Sequence, residues 1–116
     1  MKRPVVHFEI GCRDIDKTSD FYKSVFDWNF TKRGNSALID TGEAGGLSGH
    51  INQLDPEELQ NYVTIYIETD SIQADLALIE AHGGKIVVGP SKLADGKEFA
   101  WFKDLAGNIV GLLTPA

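Results

Sequence analysis

The first chemically informative residues are His7 and Glu9, which lie two positions apart in an apolar segment. Residues two apart on a β-strand share one face, so the alternating residues Val6, Phe8 and Ile10 would occupy the other face. An imidazole and a carboxylate on one face can act as a general base, bind a polar ligand or coordinate a divalent metal. The pattern therefore predicts a strand with one apolar face and one face available for chemistry.

The other two histidines and the single cysteine are weaker candidates. His50 follows a Gly-rich turn, where it is either a site residue or a polar residue at a strand end. His82 lies in the last turn of a predicted helix, where a positive charge complements the helix dipole, and we interpret it as a solvated cap residue. Cys12 cannot form an intrachain disulfide and has no cationic neighbour except Arg13, so we interpret it as structural.

The overall composition limits the classes of function. A chain of 116 residues with 42% apolar residues predicts one compact domain. The formal net charge of -6 argues against nucleic acid and against an anionic membrane surface as partners. No apolar run approaches the roughly 20 residues that cross a bilayer. The lone cysteine and the absence of an apolar signal segment predict a cytoplasmic location.

The chain repeats one pattern twice, which places the candidate residues in a fold. Strand patterns at 5–10, 28–31, 36–40 and 47–51 surround a helix that Asp14 would cap. A second set at 61–68, 85–88, 98–102 and 109–113 surrounds a helix capped by Asp70 or Ser71. We predict an α+β fold of two βαβββ modules, residues 1–57 and 58–116 with a linker at 54–58. The modules would form a curved, partly open sheet around a shared cleft.

Several segments together resemble the vicinal oxygen chelate superfamily, which includes glyoxalase I, extradiol dioxygenases, methylmalonyl-CoA epimerase and the bleomycin resistance proteins. The resemblance covers the whole chain. It is carried by His7-Phe8-Glu9-Ile10 with Asp14, by Phe21-Tyr22-Lys23-Ser24-Val25-Phe26-Asp27-Trp28, by Glu80-Ala81-His82-Gly83-Gly84-Lys85 and by Asp104-Leu105-Ala106-Gly107-Asn108.

The resemblance implies a divalent metal in the metalloenzymes of the family, held by His and Glu side chains of both modules. His7 matches the first ligand position of that set. The second-module positions fall on Thr64, whose hydroxyl is a poor ligand, and on Gly111, which has no side chain. The fourth position falls near His50, with the register uncertain by one residue. We therefore predict no metal cofactor, with a divalent ion at His7 and His50 as the alternative.

The function expected from this reasoning is the binding of a small organic molecule, cationic or rich in hydroxyl groups, in the cleft. The alternative is a metal-dependent lyase or isomerase of the glyoxalase I type that uses His7 as a ligand; no catalytic residue is assigned. The resemblance also implies a homodimer. The predicted ligand-binding residues are His7, Glu9, His50, Thr64, Tyr66, Glu68 and Trp101.

Overall fold

The structure is a computed structural model that describes residues 2–42, 46–55 and 61–115. Within these ranges the order βαβββ occurs twice, which confirms the predicted α+β fold of two βαβββ modules. The elements are β1 (Val5–Cys12), α1 (Ile15–Phe26), β2 (Asn29–Arg33), β3 (Ser36–Asp40), β4 (Ser48–Gln53), β5 (Tyr62–Glu68), α2 (Ile72–Ala81), β6 (Lys85–Lys92), β7 (Glu98–Lys103) and β8 (Ile109–Leu113).

The chain divides into two compact units. The first unit is His7–Val63, and the second unit is Met1–Val6 together with Thr64–Ala116. The predicted linker at 54–58 and the turn at 41–46 lie partly outside the described residues. The prediction of a cleft shared by two modules stays a prediction.

The first unit is a mixed four-stranded sheet in the order β1-β4-β3-β2, with β1 and β4 parallel. Helix α1 begins where Asp14 accepts a hydrogen bond from the backbone N–H of Lys17, which confirms the predicted cap. Phe8, Ile10 and Cys12 of β1 face a core, and Trp28 stacks on Tyr22 against it. The buried members of this core are Ile10, Cys12, Ile15, Ala37, Ile39 and Ile51.

The second unit has the same order, β5-β8-β7-β6, with β5 and β8 parallel. Ser71 caps α2 by accepting from the backbone N–H of Ala74. Ala100 and Phe102 belong to the core beneath α2, which also contains Ile72, Leu76 and Leu112. The N-terminal segment belongs to this unit, since Arg3 pairs with buried Asp75 and the backbone N–H of Glu68 donates to the carbonyl of Pro4.

Strand β5 does not bury the side that carries the apolar residues Val63 and Ile65. Val63 is 70% exposed and Ile65 is 40% exposed, whereas Thr64 and Tyr66 are each only 5% exposed. The polar and aromatic face of this strand is therefore its buried face. Neither helix of the described residues is both long and apolar enough to pass through a bilayer.

Candidate functional site

The pairing of β1 with β4 places the polar residues of the first unit on one face. The parallel register sets Glu9 opposite His50 and Gly11 opposite Asn52. Since side chains alternate along each strand, His7 and Glu9 share a face with His50 and Asn52. This register resolves the position of His50, which lies inside β4 and not at its end.

Glu9 is the centre of this group and is almost fully buried, with 1% of its surface exposed. Its Oε2 accepts from the side-chain amide of Asn52 at 2.9 Å and from the hydroxyl of Tyr62. Its Oε1 lies 3.2 Å from Nε2 of His50. A buried carboxylate needs such donors because its desolvation is costly, and here three side chains supply them.

His50 connects the buried carboxylate to His7. Nδ1 of His50 lies 2.7 Å from Nε2 of His7, and the two rings are inclined by 27°. The close contacts therefore run from Glu9 to His50 and from His50 to His7. Both imidazoles are half-buried, so the chain leads from a buried carboxylate to partly accessible rings.

A glycine opposite Tyr62 makes its contact with Glu9 possible. A Cβ at Gly11 would lie 2.5 Å from the Tyr62 ring, so only glycine leaves room for the ring on this face. A cavity of about 370 Å³ opens beside the same ring, a size that falls within the range of small-molecule sites. The residues that line it are Ile10, Gly11, Cys12, Thr18, Tyr22, Asn61, Tyr62 and Val63.

The donor set of the first unit does not fit the metal that the family resemblance implies. A catalytic site for an ion such as zinc uses three protein ligands that converge on it. In this unit a nitrogen of His7 faces a nitrogen of His50, Oε2 of Glu9 accepts two hydrogen bonds and Oε1 of Glu9 lies 3.2 Å from Nε2 of His50. Across the described ranges no three His, Cys, Asp or Glu side chains are grouped to hold a metal ion.

Thr64 and Gly111, the two positions of the second unit that the family resemblance assigns to metal ligands, supply no metal ligand. The hydroxyl of Thr64 donates to the backbone carbonyl of Ile109 at 2.6 Å. Gly111 pairs with Tyr66, and a Cβ at Gly111 would lie 2.3 Å from the Tyr66 ring. A carboxylate at this position would need the ring to move, and Trp101 holds that ring by donating its indole N–H to the Tyr66 hydroxyl at 2.8 Å.

Glu68, the last of the predicted ligand-binding residues, lies at the end of β5 and is half-buried. His82 caps α2, with Nδ1 2.9 Å from the carbonyl of Leu78, which agrees with its interpretation as a cap residue. Burial raises the pKa of the Cys12 thiol, so at neutral pH it stays protonated and is a poor nucleophile.

Two residues of the first-unit group were not predicted as site residues, namely Asn52 and Tyr62. Tyr62 carried a signal, because it alternates with Thr64 and Tyr66, which were predicted to face the site. Asn52 carried none, since only the pairing of β4 with β1 brings it to Glu9. The assignment of ligand-binding roles to any of these residues stays a prediction.

Comparison with known proteins places this geometry in a family. The family model of the Glyoxalase/Bleomycin resistance protein/Dioxygenase superfamily matches residues 5–112. No curated protein matches the sequence.

Solved structures with the same fold cover nearly all of the chain. A hypothetical protein from Bacillus halodurans has a TM-score of 0.74 at 15% identity, with 100% of this chain and 96% of that chain covered. A superfamily member from Vibrio splendidus has a TM-score of 0.71 at 13% identity, with coverages of 98% and 100%. A variant of Streptomyces coelicolor methylmalonyl-CoA epimerase in complex with 2-nitronate-propionyl-CoA has a TM-score of 0.67 at 20% identity, with coverages of 97% and 94%. The chain belongs to the Glyoxalase/Bleomycin resistance protein/Dioxygenase superfamily.

Proposed function

We propose that this protein binds a small organic molecule at the polar group of the first unit and does so without a divalent metal. The observation that carries this proposal is the hydrogen-bond chain from Glu9 through His50 to His7. The nitrogen and oxygen atoms that take part in this chain are the atoms that would otherwise coordinate a metal ion. The half-buried imidazoles remain the polar groups best placed to contact a ligand.

The chemistry of this group favours a ligand with hydroxyl groups over a cationic ligand. Glu9 is buried, its Oε2 accepts two hydrogen bonds and its Oε1 lies 3.2 Å from Nε2 of His50, so its charge is not available to an external cation. Imidazole nitrogens can accept from a hydroxyl or donate to its oxygen.

A thermal-shift screen of the full chain tests this proposal. The panel contains phenols and polyols, their methyl ethers as matched controls, and quaternary amines, each with and without EDTA. A ligand at a hundred times its Kd should raise the unfolding free energy by about 2.7 kcal/mol, which is readily measured. We expect stabilisation by hydroxyl compounds that EDTA does not change.

Histidine variants test whether the ligand-induced stabilisation depends on His7. His7→Ala should abolish the ligand-induced shift, whereas His82→Ala, a change at the exposed helix cap, should leave it intact. Each variant is compared with its own ligand-free sample, so that differences in basal stability cancel. A shift that survives His7→Ala, or one that EDTA removes, would contradict the proposal.

The second candidate function is a metal-dependent lyase or isomerase of the glyoxalase I type with His7 as a ligand. The observation that favours it is the 2.7 Å approach of a His7 nitrogen to a His50 nitrogen, which brings two common metal ligands together. The fold relatives include methylmalonyl-CoA epimerases, one of them in complex with methylmalonyl-CoA and NH4+. Turnover of a hemithioacetal or an epoxide that EDTA abolishes would establish this function in place of the first.

We further propose that Thr64, Tyr66, Glu68 and Trp101 of the second unit contribute to ligand binding, and that the protein is a cytoplasmic homodimer. The aromatic pair Tyr66 and Trp101 supports the first point, since such faces suit small-molecule sites. Family membership supports the dimer. Light scattering coupled to size-exclusion chromatography should give twice the mass of 12.7 kDa.

A further inference from the structure

We propose that the cavity beside Tyr62 is a second binding site, distinct from the polar group around Glu9, and that it takes a small uncharged aromatic molecule. This site goes beyond the proposed function and does not depend on it. The inference rests on the walls of the cavity, on its volume and on the uncharged character of the residues that line it.

Three short side chains leave the space of the cavity open. Gly11 and Cys12 form the end of β1, and Thr18 lines the cavity from α1. The thiol of Cys12 donates to the backbone carbonyl of Asn52 at 3.4 Å, which fixes its direction. A longer side chain at Cys12 or Thr18 would fill part of this space, so the cavity follows from the residue types at these positions.

Two aromatic rings form walls that keep their place. Tyr22 follows Thr18 by one helical turn, so the two side chains share a face of α1. The Tyr22 ring stacks on Trp28 with centroids 5.0 Å apart and planes inclined by 5°. The Tyr62 ring lies over Gly11, where a Cβ would approach it to 2.5 Å. Because both rings are packed in this way, the site is preorganised for a ligand.

The volume and the lining define the class of ligand. The cavity measures about 370 Å³, and since an apolar protein cavity of about 150 Å³ holds one benzene molecule, it has room for two fused rings. None of the described residues that line it carries a charge, so a charged group would lose its hydration there without a counter-ion. The two tyrosines favour an aromatic ligand, because aromatic rings pack well against one another.

Val63 provides apolar surface that a ligand would cover. It lines the cavity but is 70% exposed, so its side chain meets water in the free protein. Ile10, the other aliphatic residue of the lining, is only 7% exposed. A ligand in the cavity would remove apolar surface of Val63 from water, which favours binding.

Methyl NMR of the full chain locates a ligand at this site. The isoleucine and valine methyl groups are labelled with 13C, and the protein is titrated with indole, an uncharged probe of two fused rings. An aromatic ring shifts the resonances of the methyl groups that it touches, so we expect saturable shifts at Ile10 and Val63. Val110, which packs against the core of the second unit, is the internal control and should not shift.

Two charged analogues of indole test the class of ligand. Indole-3-acetate and tryptamine carry the same rings with a negative and a positive charge. Because the described lining offers no counter-ion to either, both should bind about tenfold more weakly than indole. Absence of saturable shifts at Ile10 and Val63 with indole, or equal affinity for the three probes, would overturn the proposal without any substitution.

Variants separate this site from the polar group. Val63→Asp removes apolar surface and adds a charge at the cavity, so the Kd for indole should rise roughly fivefold. Val87→Asp in β6 is the matched control, since it makes the same change at an exposed valine that does not line the cavity. His7→Ala should leave the indole shifts intact.

Two results would contradict a second site. One is loss of indole binding in His7→Ala, which would place the probe at the polar group. The other is an equal Kd for indole in Val63→Asp and Val87→Asp. Neither result depends on the screen of hydroxyl compounds, so this site and the proposed function can fail separately.

Discussion

In the first unit the parallel pair of β1 and β4 sets Glu9 opposite His50, whereas in the second unit the parallel pair of β5 and β8 sets Tyr66 opposite Gly111. Both pairs occupy the same place in a βαβββ module. One unit fills this place with a buried carboxylate and the donors that satisfy it, and the other fills it with an aromatic ring above a glycine.

This difference shows how one architecture separates chemistry from packing. The first unit brings Glu9, His50 and His7 together, and this arrangement buries the carboxylate of Glu9. The hydrogen-bond partners of Glu9 offset the free-energy cost of removing it from water. In the second unit Tyr66 and Trp101 occupy the place of such hydrogen-bonding side chains. The Tyr66 ring lies so close to the backbone of Gly111 that no further side chain fits there. Substitutions should therefore act through lost hydrogen bonds in the first unit and through steric conflict in the second.

Glu9→Ala should have the largest effect on stability. It leaves donors of His50, Asn52 and Tyr62 without their acceptor in a buried place, so we expect a loss of about 3 kcal/mol in unfolding free energy. Urea denaturation measures this loss. Glu68→Ala, at a half-buried carboxylate of the second unit, is the control and should change stability by less than about 0.5 kcal/mol. Equal effects of the two variants would remove the contrast between the units.

Gly111→Ala should follow, with a loss of about 2 kcal/mol, because the new Cβ overlaps the buried Tyr66 ring. Gly89→Ala in β6 is the matched control, since a Cβ there meets nothing within 4 Å. Combining Gly111→Ala with Tyr66→Ala should cost less than the sum of the single changes, because the ring that causes the overlap is gone. Additive losses would show that the ring is not the obstacle.

Gly11→Ala should cost less, about 1 kcal/mol, although its Cβ also overlaps a tyrosine ring. Tyr62 begins its strand and is half-buried, so its ring can swing away from the new methyl group. The movement would break the hydrogen bond to Glu9, and the variant should then resemble Tyr62→Phe in thermal unfolding. A double variant as stable as either single variant would support this, whereas a loss equal to that of Gly111→Ala would not.

The smallest effect concerns the turn between β7 and β8 and depends on pH. The side-chain amide of Asn108, together with backbone N–H groups of the turn, lowers the pKa of Asp104. A lowered folded-state pKa stabilises the protein above the ordinary pKa of aspartate, and this stabilisation disappears as the pH falls through the folded value. The Tm of Asn108→Ala should thus lie below that of wild type near pH 7 and approach it in acid. A constant Tm difference at every pH would contradict the assignment.

The sequence predicts local features well because they depend on neighbouring residues. The cap at Asp14 and the strand Ile109–Leu113 both follow from local pattern and agree with the structure. The alternation of His7 and Glu9 likewise predicts their shared face.

The site itself depends on pairing between distant strands, which alternation does not specify. The register of β1 with β4 brings His50 to Glu9, and without it the role of His50 stays open. Local pattern also did not predict which face of β5 is buried. Tyr66 is buried because Gly111, 45 residues later, has no side chain and leaves room for the ring. Apolar character alone would have buried Val63 instead.

Elemental analysis of the purified full chain, after dialysis against each of zinc, nickel, manganese and iron, tests the central claim most directly. Because the first unit uses its donor atoms on one another, the account predicts less than one ion per chain and no rise in Tm with any of these metals. One tightly held ion per chain, lost in both His7→Ala and His50→Ala but kept in His82→Ala, would contradict it.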